Sequence, residues 1–172
     1  GTGEHFGLED KIDVSMGTFG KALGGFGAFA AGDHTLRPFL INCARPFIFT
    51  TGLPPAVIAS ALAALELLEE EPALREKLWE NVRFFRQGME KLGFTSNESE
   101  TPIIPLLVGD ASLTMQMGEM LFKKGVFMQG IRPPAVPQGS SRLRITIMAT
   151  HTVEQMEYAL KTLEAVGKQL RI

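Results

Sequence analysis

An α/β chain that closes in a small α+β unit is the fold class this sequence predicts, and three observations carry that prediction. The first third holds short apolar runs separated by glycines. From Pro54 the apolar residues recur at helical spacing through two successive segments. The last third alternates short apolar runs with further helical stripes.

The elements follow in chain order. "IDVSMGT" is a short apolar run bounded by Asp13 and Gly17, and "FGAFAAG" is another between glycines. That pattern predicts a buried strand, a glycine loop and a second strand. Ile58, Leu62, Leu65 and Leu68 fall on one helical face, and Pro54 or Pro55 suits the first turn, where a missing N–H costs little. Leu74, Leu78, Val82, Phe85, Met89 and Leu92 form a second stripe that stops at Gly93. "IIPLLVG" reads as a strand, "ASLTMQMGEMLFKKG" as a helix closed by Gly125, and "VFMQGI" and "RLRITIM" as strands. A final helix runs from about Val153, with Thr152 and Gln155 as a capping box and Val153, Met156, Leu160, Leu163 and Leu170 as its apolar face. Met117, Met120 and Met156 read as core filler, and Trp79 as packing beside the stripe.

Composition narrows the function classes. The 172 residues carry 17 basic and 19 acidic side chains, a net charge of −2, and 45% are hydrophobic. No basic patch suits nucleic acid, and the run Glu69 to Glu71 reads as the solvated end of a helix. Cys43 is the only cysteine, so no internal disulfide forms, and it is expected to be buried. No run has membrane-spanning length and no signal peptide is visible, which makes a cytoplasmic protein the default. His34 and His151 lack metal-ligand spacing and read as turn or cap residues, so no metal is expected. Ser140 and Ser141 read as a turn.

One segment carries chemistry. "GTFGKALGGFGAF", Gly17 to Phe29, sets five glycines around Lys21. It is not a phosphate-cradling P-loop, which needs four residues between its glycines and a hydroxyl after the lysine, whereas Ala22 follows Lys21. A free lysine, with a pKa near ~10.4, is almost fully protonated, but a buried amine becomes a nucleophile toward a carbonyl. Thr18, three residues earlier, offers a hydroxyl, and Gly24, Gly25 and Gly27 offer space for a flat ring. Spacing alone leaves Lys21 equally open to a second reading, a surface lysine beside a structural turn. In the strand from Arg142 to Met148, Leu143, Ile145 and Ile147 face one way while Arg142, Arg144 and Thr146 face the other. Such arginines either grip a carboxylate or simply face solvent. Arg132 precedes Pro133 and is pushed toward an extended backbone, in a segment stiffened by Pro133, Pro134 and Pro137 that suits either a substrate site or a rigid connection.

"VSMGTFGKALGGFGAFAAG", "RPFIFTTGLPPA" and above all "IRPPAVPQGSSRLRITIMATH" resemble the α-oxoamine synthase family of pyridoxal-phosphate enzymes. The likeness runs end to end. It implies a fragment of the aspartate-aminotransferase-like (fold type I) architecture, with residues 1–70 ending the large cofactor-binding domain and 71–172 forming the small α+β domain. The lysine segment is shared across the family, whereas the Ile-Arg-Pro-Pro run favours the branch joining alanine to a pimeloyl thioester over the glycine C-acetyltransferase branch.

Carried over position by position, the resemblance implies pyridoxal 5'-phosphate as cofactor. It puts Lys21 on the lysine that holds the cofactor covalently and later moves the Cα proton. Thr18 falls on the threonine that binds the cofactor phosphate, and Thr50 on a hydroxyl that reaches the phosphate in the neighbouring subunit. A homodimer with a shared site follows, acting on an amino acid and an acyl thioester. Arg144 falls on the arginine that holds the amino acid's carboxylate, and Arg132 on an arginine near the substrate. The family's Asp-x-x-His segment, which contacts the cofactor ring, has no counterpart upstream of Lys21. The chain is therefore expected to be the C-terminal portion of a longer enzyme and inactive or nearly so alone. The competing reading is a product that keeps the small domain and binds no cofactor.

Overall fold

The computed structural model describes residues 1–94 and 99–172. They form two compact units, Gly1–Glu71 and Pro72–Ile172.

The first unit opens with a short helix α1 (Thr2–His5) and a 3-10 turn (Glu9–Lys11), followed by β1 (Val14–Thr18) and β2 (Ala28–Gly32). These strands pair antiparallel in direct register, with Met16 opposite Ala30 and Gly17 opposite Phe29. Asp33 then turns the chain: its Oδ1 accepts the Thr35 N–H at 2.8 Å, and that bond holds its carboxyl below the usual range. His34 sits in this turn, with its Nδ1 3.0 Å from the same Oδ1. Helices α2 (Leu36–Cys43) and α3 (Arg45–Ile48) come next, and neither was legible in the periodicity. Helix α4 (Pro55–Glu70) closes the unit, with Pro55 at its first turn as the sequence indicated.

Two expectations fail here for one reason. The strands were expected to be buried, yet Met16 is 74% exposed, and Ile58, Leu62 and Leu68 on α4 are exposed too. Among the described residues of this unit only Ala61 is buried. Apolar pattern marks surface that can be covered, and these 71 residues supply no layer to cover it. Cys43, expected to be buried, is exposed at the end of α2 for the same reason.

The second unit has the core. It begins with α5 (Pro72–Lys91), passes through β3 (Ile103–Gly109), α6 (Ala111–Lys123), β4 (Gln129–Ile131) and β5 (Ser141–Thr146), and ends in α7 (Val153–Leu170). The sheet is antiparallel in the order β3-β5-β4. Pro105 lies in the middle of β3, which is tolerable because β3 is an edge strand and the missing N–H breaks no central ladder. One sheet face is covered: Ile104, Leu106, Leu143 and Ile145 pack with Val82, Phe85 and Met89 of α5, Met117 and Leu121 of α6, and Met156, Leu160 and Leu163 of α7. Burying each such side chain is worth about 1.5–3 kcal/mol. The methionines do fill core, Met117 and Met156 fully and Met120 in part, and Trp79 packs against the cluster.

Capping sets the helix ends. Asp110 accepts from the Leu113 N–H at 2.7 Å to open α6, and Thr152 and Gln155 form the expected capping box at α7. The expected strand from Val126 pairs only from Gln129. Val126 is instead drawn back into the core by its N–H, which donates to the Leu121 carbonyl at 3.0 Å, and by its buried side chain. Ser141 is a fully buried strand residue rather than part of a turn, because β5 already pairs there with Gly109. Ser140 does sit before the strand, its hydroxyl donating to the Pro137 carbonyl.

Asn81 is a buried polar residue in the α5 stripe, 2% exposed. Its Nδ2 donates to the carbonyls of Met148 and His151, each at 3.0 Å, and lies 3.4 Å from that of Ala149. His151 is a turn residue here, its Nδ1 accepting the Met148 N–H at 3.2 Å. Asn81→Ala leaves these carbonyls unsatisfied and is expected to cost about 1–3 kcal/mol, read as a lowered urea midpoint at unchanged slope. Among the described residues no helix is long and apolar enough to cross a membrane.

Candidate active site

The lysine segment is the connection between β1 and β2. Backbone bonds close it into a compact loop: the Phe19 N–H donates to the Gly27 carbonyl at 3.0 Å, the Gly25 N–H to the Phe19 carbonyl at 2.7 Å, and the Gly24 N–H to the Lys21 carbonyl at 3.0 Å. Gly24 and Gly27 have φ of +62° and +97°, so these two glycines are needed for the turn itself. Thr18 is the last residue of β1, opposite Ala28. Lys21 and Thr18 are both exposed, and neither side chain makes an ion pair or hydrogen bond among the described residues. An amine and a hydroxyl three residues apart, both unspent, thus stand at one end of the hairpin. The burial expected around Lys21 is not supplied by this unit, for the reason given for the strands.

Gly17 has a different use. A Cβ built there would lie 2.6 Å from Cε1 and Cζ of Phe29, so the Phe29 ring fills the place a side chain would take. That ring also sits 5.3 Å from the ring of Phe19 at 48°. Sequence reasoning missed this pairing, because which residue faces Gly17 depends on the strand register.

Thr50 lies just past α3, exposed, with its hydroxyl 3.5 Å from the Thr51 carbonyl, the outer limit of a hydrogen bond. Arg45 in the same stretch stacks over the Phe49 ring at 5.5 Å.

In the second unit, alternation along β5 holds as read: Leu143 and Ile145 point into the core, and Arg144 and Thr146 are exposed. Arg144 is opposite Pro105 on one side and Gln129 on the other, so no acid faces it across the sheet. Arg142, half-buried, has its Nε donating to the Ser140 carbonyl at 2.9 Å. Arg132 follows β4 directly and is exposed, its Nη1 3.4 Å from the Pro133 carbonyl. Because Ile131 pairs with Arg142, Arg132 follows at the Arg142 end of β5, whereas Arg144 lies two residues further along, opposite Gln129. A cleft of about 610 Å³ opens beside β5, walled by Val126, Met128 and Ile147, with Arg144, His151 and Gln155 among its polar residues. Among the described residues no cluster of His, Cys, Asp or Glu has the makings of a metal site.

The model of the aminotransferase class I and II family matches residues 1–163, and the chain belongs to that family. Within it, the chain is 51% identical over 174 residues to an 8-amino-7-oxononanoate synthase from Citrifermentans bemidjiense, covering 100% of this chain and 45% of that protein. The backbone matches a serine palmitoyltransferase variant from S. paucimobilis solved with a bound PLP–myriocin aldimine, at TM-score 0.92 and 33% identity, over 99% of this chain and 44% of that one. It also matches 8-amino-7-oxononanoate synthase from Francisella tularensis at TM-score 0.78 and 27% identity, over 92% and 47% of the two chains. The chain thus spans just under half the length of these relatives, and over that span its fold is the expected fold type I architecture.

Proposed function

We propose that this chain carries the lysine-bearing and carboxylate-gripping part of an enzyme that joins L-alanine to a pimeloyl thioester, of coenzyme A or a carrier protein. Carbon dioxide and the thiol leave, and 8-amino-7-oxononanoate forms as a step in biotin synthesis. One observation carries the reading: 51% identity to such a synthase along the whole chain.

Pyridoxal 5'-phosphate fits the donor set of the hairpin. Its aldehyde needs an amine, met by Lys21, and its phosphate needs a hydroxyl, met by Thr18. Around Gly24 an added Cβ would meet nothing within 4 Å, which leaves room beside the loop. When bound, the cofactor supplies an electron sink for negative charge developing at the amino acid's Cα. Lys21 would hold it through its side-chain nitrogen, and the same amine would take the Cα proton and later return it. Thr18 donates its hydroxyl to the phosphate, and Thr50 does so toward the partner subunit's site in a homodimer. Arg144 holds the amino acid's carboxylate through two parallel N–H donors, and its lack of an acidic neighbour on the sheet leaves that fork available. Arg132 supports the substrate alongside. No Asp-x-x-His segment occurs upstream of Lys21, so the charge partner of the cofactor ring is not among these residues.

A second reading is favoured by the backbone, whose match to a serine palmitoyltransferase is closer than that to the Francisella synthase. Identity bears more directly on substrate choice, because side chains rather than backbone trace select the acyl group. The full-length enzyme decides between them in a panel of alanine, glycine and serine against pimeloyl-, acetyl- and palmitoyl-CoA. Alanine with pimeloyl-CoA is expected to lead by at least about tenfold in kcat/KM, and a leading serine–palmitoyl pair overturns the proposal. The 172 residues alone are expected to turn over at least about a hundredfold more slowly, since losing a buried charge partner costs several kcal/mol. Turnover by the chain alone at the full-length rate would refute that expectation.

A further inference from the structure

We propose that Phe29 is a positioning residue for Lys21, acting through the Gly17 notch and Phe19. This rests on the reading of Lys21 as the cofactor tether.

The chain of contacts is continuous. Phe29 lies directly opposite Gly17 in the β1–β2 register, and its ring occupies the space where a Cβ at 17 would stand, 2.6 Å from two ring carbons. The same ring meets Phe19 at 5.3 Å between centroids. Phe19 in turn anchors both ends of the lysine loop, giving its N–H to the Gly27 carbonyl and taking the Gly25 N–H on its own carbonyl. Lys21 is two residues from Phe19, inside the loop those two bonds close. A ring on β2 therefore fixes the residue that closes the loop, and the loop fixes the direction from which the amine approaches its target. Lys21 needs such a support because its side chain makes no hydrogen bond or ion pair of its own among the described residues.

The pair is complementary in size. Nothing at 17 and a large ring at 29 share one volume across the two strands. Moving the bulk from one strand to the other should therefore preserve the support, whereas adding it to one strand or removing it from the other should not.

The test uses the full-length enzyme and four variants of it: Phe29→Ala, Gly17→Val, the double Gly17→Val/Phe29→Ala, and Lys21→Ala. The first readout needs no cofactor: amide hydrogen exchange at Phe19 and Gly25. The second is the amount of pyridoxal phosphate fixed on Lys21 by borohydride, with adducts on the other lysines as internal controls. Each single substitution at 17 or 29 is expected to speed loop exchange about tenfold and to reduce the Lys21 adduct about fivefold, with the double variant within about twofold of wild type in both. The idea is overturned if Phe29→Ala leaves loop exchange and the Lys21 adduct unchanged, or if the double variant is no better than Gly17→Val. A wild-type full-length enzyme giving no more adduct than its Lys21→Ala variant defeats the tether reading. If exchange still follows the swap in that case, Phe29 orders the loop but positions no tether, and the proposal falls with that reading.

Discussion

Lys21→Ala will abolish the borohydride-stable adduct that pyridoxal phosphate forms on this segment, while adducts on Lys11, Lys77 and Lys161 stay as they were. The expectation follows from the chemistry of a tether: the bond is to one nitrogen, and no neighbouring side chain in the loop supplies another. Peptide mapping after reduction reads the result, with the loss at position 21 reaching at least about a hundredfold. The discriminating contrast is within the wild type, where a cofactor site puts far more adduct on Lys21 than on the other lysines, whereas a chain that binds no cofactor would label all its exposed lysines to a similar weak extent. On the proposed reading the same substitution in the full-length enzyme takes away both tether and base, so turnover is expected to fall to background. A full-length enzyme in which position 21 carries no more adduct than Lys11, Lys77 and Lys161 would end the reading of this hairpin as a cofactor site.

Two adjacent residues of β5 should give opposite results. Leu143 is fully buried, pairs with Leu106 and Gly130, and lies 3.5 Å from where a Cβ on Gly118 would stand. Leu143→Ala opens a cavity against α6 and is expected to cost about 2–5 kcal/mol of unfolding free energy. Arg144 next to it is exposed on the other sheet face, and Arg144→Ala should change stability by less than about 0.5 kcal/mol. In the full-length enzyme, however, it should raise KM for alanine about tenfold to a hundredfold, since a charge-assisted pair to the carboxylate is lost. Chemical denaturation separates the first effect and steady-state kinetics the second. A large stability loss from Arg144→Ala, or an unchanged alanine KM, would contradict the assignment of the two faces.

Much of this architecture was legible, and the residues show why. Where a helix or strand buries one face inside its own unit, the middle of the pattern held: Val82, Phe85 and Met89 on α5, the capping box at Thr152, and the alternation along β5 lie where periodicity put them, whereas Leu74 and Val153 at the stripe ends are exposed. Periodicity records a need for cover and is silent about who provides it, so the β1–β2 hairpin and the stripe on α4 read as buried and are exposed. Short helices such as α3 are too brief to show a period at all. The lysine loop was legible as unusual because of its glycines, but spacing alone did not say which glycine served a turn and which served a neighbour. Gly24 and Gly27 are there for positive φ, while Gly17 is there for Phe29, a cross-strand relation that only the register reveals. Asn81 escaped notice because a lone amide in an apolar stripe carries no periodic signal, and its partners lie 67 to 70 residues away.

The uncovered apolar faces of the first unit have a thermodynamic consequence. Surfaces of that kind hold their shape by mass action: whatever binds them contributes RT ln(1 + [L]/Kd) to the folding of the strands beneath. Any molecule that covers these faces would therefore raise the melting temperature of the hairpin that presents Lys21 as its concentration rises. Under such binding the rigidity of the hairpin would follow concentration rather than being a fixed attribute of the polypeptide.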